Sequence, residues 1–144
     1  EDATLAAFIS IAGADATDIP IVWETGGSGG ELASPCVVIY SAGHEALAPD
    51  AGICSRNNFD VEIVAEVRTN GEHTSRAVHS TWAGLVEAVG NGSADQMIEK
   101  LNAAGVSGFT ATRWKWLRAA NDYNGQERVS SFYFSLICSH SQNA

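Results

Sequence analysis

The chain has 144 residues, of which 45% are apolar and 17% charged, and its formal net charge is −9. This length and composition are typical of one globular domain, so we expect residues 1–144 to form a single domain with its own core. Eight Lys and Arg residues are too few for a protein that binds nucleic acid through its phosphates, and no apolar run is long enough to span a membrane.

The first third of the chain predicts a short helix and two strands. Leu5, Phe8, Ile9 and Ala12 form an apolar stripe at helical spacing that ends at Gly13. Pro20 then favours extended geometry, and Ile21–Trp23 is typical of a short strand. After a glycine-rich loop, Gly26–Gly30, the apolar run Cys36–Ser41 predicts a central strand.

Residues Ala42–Asn57 show no hydrophobic period and are rich in Ala, Gly, Pro, Asp and Asn. We interpret them as a long surface loop, and loops of this length are often functional or become ordered on assembly. The composition of this loop and of Gly26–Gly30 buries too little apolar surface to offset backbone entropy. We therefore predict that both are mobile in the free subunit and ordered against neighbouring subunits.

The clearest pattern is a strand followed by an amphipathic helix. Residues Phe59–Arg68 alternate between apolar and polar, which predicts a half-buried strand. Thr69 and Glu72 have the spacing of a capping box for the helix that follows. Its apolar stripe, and the strand residues that we expect to pack against it, are Val78, Trp82, Leu85 and Val89, with Phe59, Val61, Ile63 and Val67.

The last third predicts one more helix and a β-hairpin. After the break at Gly90–Gly92, Ser93 begins a helix with Met97, Ile98 and Leu101 on one face. Two alternating strands follow, Phe109–Arg118 and Val129–Cys138. A strict two-residue turn at Asn124-Gly125 would put Lys115 opposite Phe134 and Arg113 opposite Leu136, burying two cations at high cost. We therefore predict a longer loop or a bulge near Ala119–Arg128, which places Trp114 and Trp116 in the core.

This order of elements predicts an α+β fold, with a single antiparallel sheet and helices packed on one face. No motif for catalysis, metal binding or a cofactor accompanies it. Cys36 and Cys138 fall in apolar strands, where buried and inert thiols are the common outcome. His73 and His79 are six residues apart and do not share a helical face as metal ligands would. We predict that the protein is not an enzyme and has no cofactor.

The pattern as a whole resembles the tail terminator, or tail completion, proteins of long-tailed bacteriophages. The resemblance is carried by the first helix, the strand after Pro20, the long loop, the unit Phe59–Val89 and a closing hairpin with Arg118, Asp122 and Arg128. It implies a virion protein of the tail or neck that forms a ring, usually of six copies. Such a ring contacts the tail tube protein and a head-completion protein, and genome DNA passes through it without specific binding.

Two alternatives remain open from the sequence. One is another neck or tail-tube ring component, and the other is a small α+β ligand-binding domain or enzyme, which would need a pocket with converging polar groups. For a ring we expect acidic side chains to line part of the lumen, where they weakly repel the DNA that passes through. Arg113 and Lys115 are then placed to form pairs between neighbouring subunits. The candidate interface or lumen positions are Glu45, Asp50, Asp60, Glu62, Glu66, Arg113 and Lys115.

Overall fold

The computed structural model describes residues 1–12, 22–26, 35–47, 57–71, 74–92 and 94–140. Within these ranges the chain forms three helices and five strands. None of these helices is long and apolar enough to cross a membrane. In chain order the elements are α1 (Asp2–Ala12), β1 (Val22–Thr25), β2 (Cys36–Ala46), β3 (Asn57–Asn70), α2 (Arg76–Gly92), α3 (Ala94–Ala103), β4 (Phe109–Tyr123) and β5 (Glu127–His140).

The five described strands form one sheet in the order β1-β2-β3-β5-β4. The pairs β2–β3, β3–β5 and β4–β5 are antiparallel, whereas β1 runs parallel to β2. The predicted α+β fold is confirmed, and the sheet is mixed rather than wholly antiparallel. The sequence pattern could not predict that β1 runs parallel to β2, because side chains alternate with the same period in parallel and antiparallel sheets.

All three described helices pack on one face of the sheet and enclose the core with it. The predicted contact between β3 and α2 is confirmed: Ile63, Val67 and Trp82 are buried, and Phe59, Val61, Val78 and Leu85 pack around them. Phe8 of α1 and Met97 of α3 are fully buried in the same cluster. We call the face of the sheet away from the helices the outer face.

The first helix is rotated relative to the predicted stripe. Thr4, Ala7 and Phe8 are buried, but Ile9, which the prediction placed on the inner side, is 44% exposed. The Phe8 ring lies 5.9 Å from the ring centres of both Trp114 and Phe134. Since these aromatic contacts fix the rotation of the helix, its neighbours in the fold overrule the local hydrophobic stripe.

The boundaries of α2 also differ from the prediction. Thr69 belongs to β3, so the predicted capping box is wrong, and the helix begins after Ser75, whose Oγ accepts a hydrogen bond of 3.2 Å from the Val78 N–H. Glu72 lies outside the described residues. At its other end the helix runs through the predicted break to Gly92. A cap is set by whichever polar side chain reaches the free N–H groups, and here Ser75 does.

The closing hairpin places both tryptophans of β4 on the core side, as predicted. Trp114 lies opposite Leu136 and Trp116 opposite Phe134. The irregularities occur at Thr112 and Leu117, so the bulge that corrects the alternation lies just before the predicted segment. The bulge at Leu117 exchanges the two faces of the strand and keeps Arg113 and Lys115 out of the core. The bulge at Thr112 exchanges them again and turns Ala111 inward.

Strand β2 is longer than predicted, because Ala42–Ala46 pairs with β3 instead of starting a loop. Side chains of small or polar residues make this extension resemble a loop in sequence, but its backbone is bonded to β3 as in any strand. Residues 48–56 and 27–34 lie outside the described residues. The mobility predicted for the two loops therefore stays a prediction.

Candidate functional site

The outer face carries a half-buried polar cluster centred on Glu66. This residue is only 7% exposed. The Tyr40 hydroxyl donates a hydrogen bond of 2.8 Å to its Oε1, and Arg68 Nε donates one of 2.9 Å to its Oε2. Such charge-assisted bonds allow a carboxylate to remain in a site that water barely reaches. We call Tyr40, Glu66, Arg68, Glu127 and Ser131 the Glu66 cluster.

Two groups in this cluster have shifted titration. The pKa of Tyr40 is raised by burial and then by its hydrogen bond to Glu66, so its hydroxyl remains a donor at physiological pH. Burial alone would lower the pKa of Arg68, but the hydrogen bond and charge of Glu66 and the charge of Glu127 raise it above its usual value. Arg68 also forms an ion pair of 2.9 Å with Glu127. The two side chains of that pair are still 34% and 40% exposed, so water screens it and it adds little stability.

The remaining outer-face acids near the centre of the sheet also contact their own chain. Asp60 accepts a hydrogen bond from the hydroxyl of Ser135. Glu62 lies 3.4 Å from Arg118 Nη2 in an exposed ion pair, and the Arg118 guanidinium stacks 3.9 Å from the centre of the Tyr133 ring. These contacts hold the face in one arrangement but leave both carboxylates in partial contact with water.

The structure sorts the predicted interface or lumen positions into three groups. The Glu66 carboxylate is buried and hydrogen-bonded within its own subunit. Asp60 and Glu62 each have one such contact but remain partly exposed. Glu45, Arg113 and Lys115 are exposed on the outer face, Glu45 on β2 and the two cations on the edge strand β4. Asp50 lies outside the described residues. The sequence missed Tyr40 and Ser131 as partners of Glu66, because strand order was needed to place them beside it.

A second polar cluster lies on the helix side, where α2 meets the sheet. His79 is 7% exposed, with its Nδ1 2.7 Å from Thr69 Oγ1 and its Nε2 2.8 Å from Ser130 Oγ. The Ser130 hydroxyl in turn donates to Asn121 Oδ1 at 2.7 Å. Ser130 Oγ therefore accepts from the His79 Nε2–H, and His79 Nδ1 accepts from Thr69. This arrangement fits a neutral imidazole.

The pKa of His79 is lowered, first by burial and then by the positive charge of Arg128. The unfolded chain, whose His79 titrates near the ordinary value of about 6.5, then binds the proton first as the pH falls. Stability is therefore full above about pH 6.5 and is lost below it, by up to about 1.4 kcal/mol per pH unit, until the folded-state pKa is reached.

We expect His79→Gln to flatten this pH dependence, because glutamine keeps polar atoms at the site but does not titrate. Urea unfolding of both proteins at pH 7.5 and pH 5.5 measures it. The wild type should lose more stability between the two pH values than the variant. Equal losses would show that His79 is not the group responsible.

An open groove of about 650 Å³ lies beside His79, between α2 and the ends of β4 and β5. Its charged and polar lining includes Arg76, Asp122 and Arg128. Arg128 is already engaged, since its Nη1 donates to the Thr74 carbonyl and its guanidinium lies 4.8 Å from the centre of the Tyr123 ring. Within the described residues, no group of three or more His, Cys, Asp or Glu side chains is placed to hold a metal ion.

The two cysteines in the described strands are free and buried, as predicted. Burial, followed by the charge of Glu24, raises the pKa of Cys36 to about 11. Burial and the nearby Asp60 raise the pKa of Cys138 as well. Because the thiolate is the reactive form, both thiols are poor nucleophiles at neutral pH. Cys54 lies outside the described residues.

Comparison with known proteins finds similarity in fold alone. No protein-family model matches the chain, and no curated protein matches it. Among solved structures, the chain is similar to one from the "Virion of native gene transfer agent (GTA) particle". The two share 15% sequence identity with a TM-score of 0.52, and the match covers 93% of this chain and 85% of that chain. At this identity the match shows a shared fold.

Proposed function

We propose that this chain is a structural protein of a phage-like particle and forms a ring at its tail or neck, in the manner of a tail terminator. The observation that carries the proposal is the fold shared, over 93% of the chain, with a protein of a gene transfer agent virion. The resemblance in sequence pattern to tail terminators points the same way. The proposed partners are further copies of the chain, usually six to a ring, a tail tube protein and a head-completion protein.

The charge of the outer face supports this role. Glu45, Asp60 and Glu62 are at least partly exposed on it, beside the exposed cations Arg113, Lys115 and Arg118, and the chain as a whole has a net charge of −9. A lumen that passes a polyanion works best with weak repulsion, because tight binding to phosphates would stall the DNA. In the proposed ring these side chains line part of the channel, and no cofactor or reaction is involved.

Deletion of the gene in cells that produce the particle tests this function. We expect tails of uncontrolled length, or tails that fail to join filled heads, in electron micrographs of the lysate. A plasmid copy of the wild-type gene should restore complete particles. Normal tails of normal length on filled heads, made without the protein, would end the proposal.

A second candidate, a small ligand-binding domain, is favoured by the groove beside His79. Its converging polar side chains are the feature that such a function requires. A screen of small-molecule fragments by NMR on the free subunit tests it. Saturable chemical-shift changes confined to the lining residues Ser80, Asn121 and Ser130 would favour this function, and shifts spread over the outer face would not.

A further inference from the structure

The described sheet has two edges with strand segments that lack a neighbour in this part of the chain. We propose that copies of the chain join edge to edge, with β4 of one copy pairing antiparallel to the end of β2 in the next copy. This inference rests on the proposed function, because it states how the subunits of the ring contact each other. The partner is a second copy of this chain.

The first edge is β4, which has β5 on one side only. Near its start the Asn102 side chain pairs with the strand: its Nδ2 donates to the Ala111 carbonyl, and its Oδ1 accepts from the Ala111 N–H. Beyond this contact, bulges at Thr112 and Leu117 delimit a regular segment, Arg113–Trp116. We call this segment the β4 edge. Among the described residues no strand pairs with it on the side away from β5, where the backbone groups of alternate residues point.

The second edge is the end of β2. Strand β1 pairs only with Cys36–Ile39, so the rest of β2 has β3 as its only strand neighbour among the described residues. The Ser41 N–H donates to the Glu1 carboxylate at 3.3 Å, and a bulge follows at Ala42. The regular segment beyond it is Gly43–Ala46, which we call the β2 edge. It matches the β4 edge in length, and each edge begins after a side chain that binds its backbone.

The directions of the strands agree with pairing between neighbours in a ring. Successive antiparallel pairs β2–β3, β3–β5 and β5–β4 make β4 antiparallel to β2 within one subunit. Rotation about a ring axis preserves the strand direction along that axis. The β4 edge of one copy and the β2 edge of the next therefore meet as an antiparallel pair over these four residues. Beyond them β4 must turn away at the Leu117 bulge, because β1 already pairs with Cys36–Ile39.

The charges at the two edges are complementary. Arg113 lies opposite Ile137, Ile137 opposite Asp60, and Asp60 opposite Glu45, so one row of paired residues crosses the sheet on its outer face. The row ends in an exposed cation at one edge and an exposed carboxylate at the other. When two copies are joined with their rows aligned, Arg113 stands beside Glu45 of the next copy.

The distribution of cations supports a contact between unlike edges. Three of the eight Lys and Arg residues of the chain, Arg113, Lys115 and Arg118, fall within six residues of β4. Arg118 is paired with Glu62 of its own subunit, but no side-chain hydrogen bond or ion pair holds Arg113 or Lys115 among the described residues. A basic edge that meets an acidic edge gives a head-to-tail contact, and repetition of such a contact closes a ring.

Reversal of the two end charges tests the inference in particles assembled in deletion cells. We expect Arg113→Glu and Glu45→Arg each to lower the yield of complete particles by about tenfold or more, as expected from loss of a close charge pair at a repeated interface. The double variant, with both changes in one chain, should restore the yield. Within one subunit these residues lie three strand spacings, or about 14 Å, apart, so the rescue must act between copies.

Lys100→Glu reverses an exposed cation of α3, on the helix side, and serves as the matched control, which should assemble like the wild type. Urea unfolding of the isolated variants checks that each remains folded. Folded single variants that assemble normally, or a double variant as defective as the single ones, would overturn the edge contact while leaving the ring function intact. If deletion of the gene leaves particles unchanged, the proposed function itself fails.

Discussion

Replacement of Trp82 by alanine is expected to lower the free energy of unfolding by about 3 to 5 kcal/mol, the usual cost of removing a large buried aromatic side chain. Trp82 is 2% exposed and lies edge-on to Trp23, with 6.3 Å between ring centres. It is the central residue of the α2 stripe that packs on β3. Alanine would leave a cavity between the helix and the sheet in the middle of the core, and the packing contacts of the indole ring there would be lost.

Trp82→Phe is the matched control because it keeps an aromatic ring in the same place. The Trp82 Nε1–H is buried without a hydrogen-bond partner among the described residues, so phenylalanine also removes an unpaired donor. We expect it to cost less than about 1.5 kcal/mol. Urea unfolding of both variants measures the difference. A loss below about 1 kcal/mol for alanine would show that this face of α2 does not carry the core.

Gly90→Ala is expected to lower the free energy of unfolding by about 1 to 3 kcal/mol, although alanine favours helices. A Cβ at position 90 would overlap the ring of Phe134, which is fully buried. The Phe134 ring cannot move aside easily, since it stacks on Trp114 at 4.8 Å. The Gly90 carbonyl also accepts a hydrogen bond of 2.7 Å from Trp114 Nε1. At Gly90 the helix backbone therefore lies against the Phe134 ring, where a side chain would not fit.

Gly84→Ala provides the control within the same helix. A Cβ at position 84 meets no atom within 4 Å, so only the helix propensity changes, and we expect a gain of up to about 1 kcal/mol. Thermal or urea unfolding should move in opposite directions for the two variants. Equal and favourable effects would mean that the approach of α2 to Phe134 is looser than the structure shows.

The strand and helix around Trp82 were predictable because each has a regular hydrophobic period. The alternation of Phe59–Arg68 and the stripe of α2 define which faces meet, whatever the rest of the chain does. The position of Trp114 and Trp116 also followed from the sequence, because the alternative would have buried Arg113 and Lys115. In both cases a large free-energy difference between two arrangements decided the outcome.

Other features depend on contacts that a sequence does not display. Gly90 was interpreted as a break, but its value as a small residue depends on the position of Phe134, 44 residues later. Glu66 was predicted as an interface or lumen position, and alternation does place it on the outer face. Its burial comes from Tyr40 and Ser131, which lie on the neighbouring strands. The strand order β2-β3-β5 had to be known before these neighbours could be named.

The residues of the candidate assembly surface could be selected from the sequence, but their arrangement could not, because it depends on the strand order. Glu45, Arg113 and Lys115 were selected by charge and position, and the structure leaves all three exposed. That Arg113 and Glu45 end the same row of the sheet follows only from the pairing register of four strands. The bulges at Ala42 and Thr112 each shift that register by one residue, and neither has a clear sequence signal.

The most direct test of the proposed role is a cryo-electron microscopy reconstruction of the native particle from cells that express this chain. The account predicts a closed ring of this protein at the end of the tail tube or in the neck, with Glu45, Asp60 and Glu62 facing the channel. Density for the chain elsewhere in the particle, or complete particles that lack it, would contradict the account.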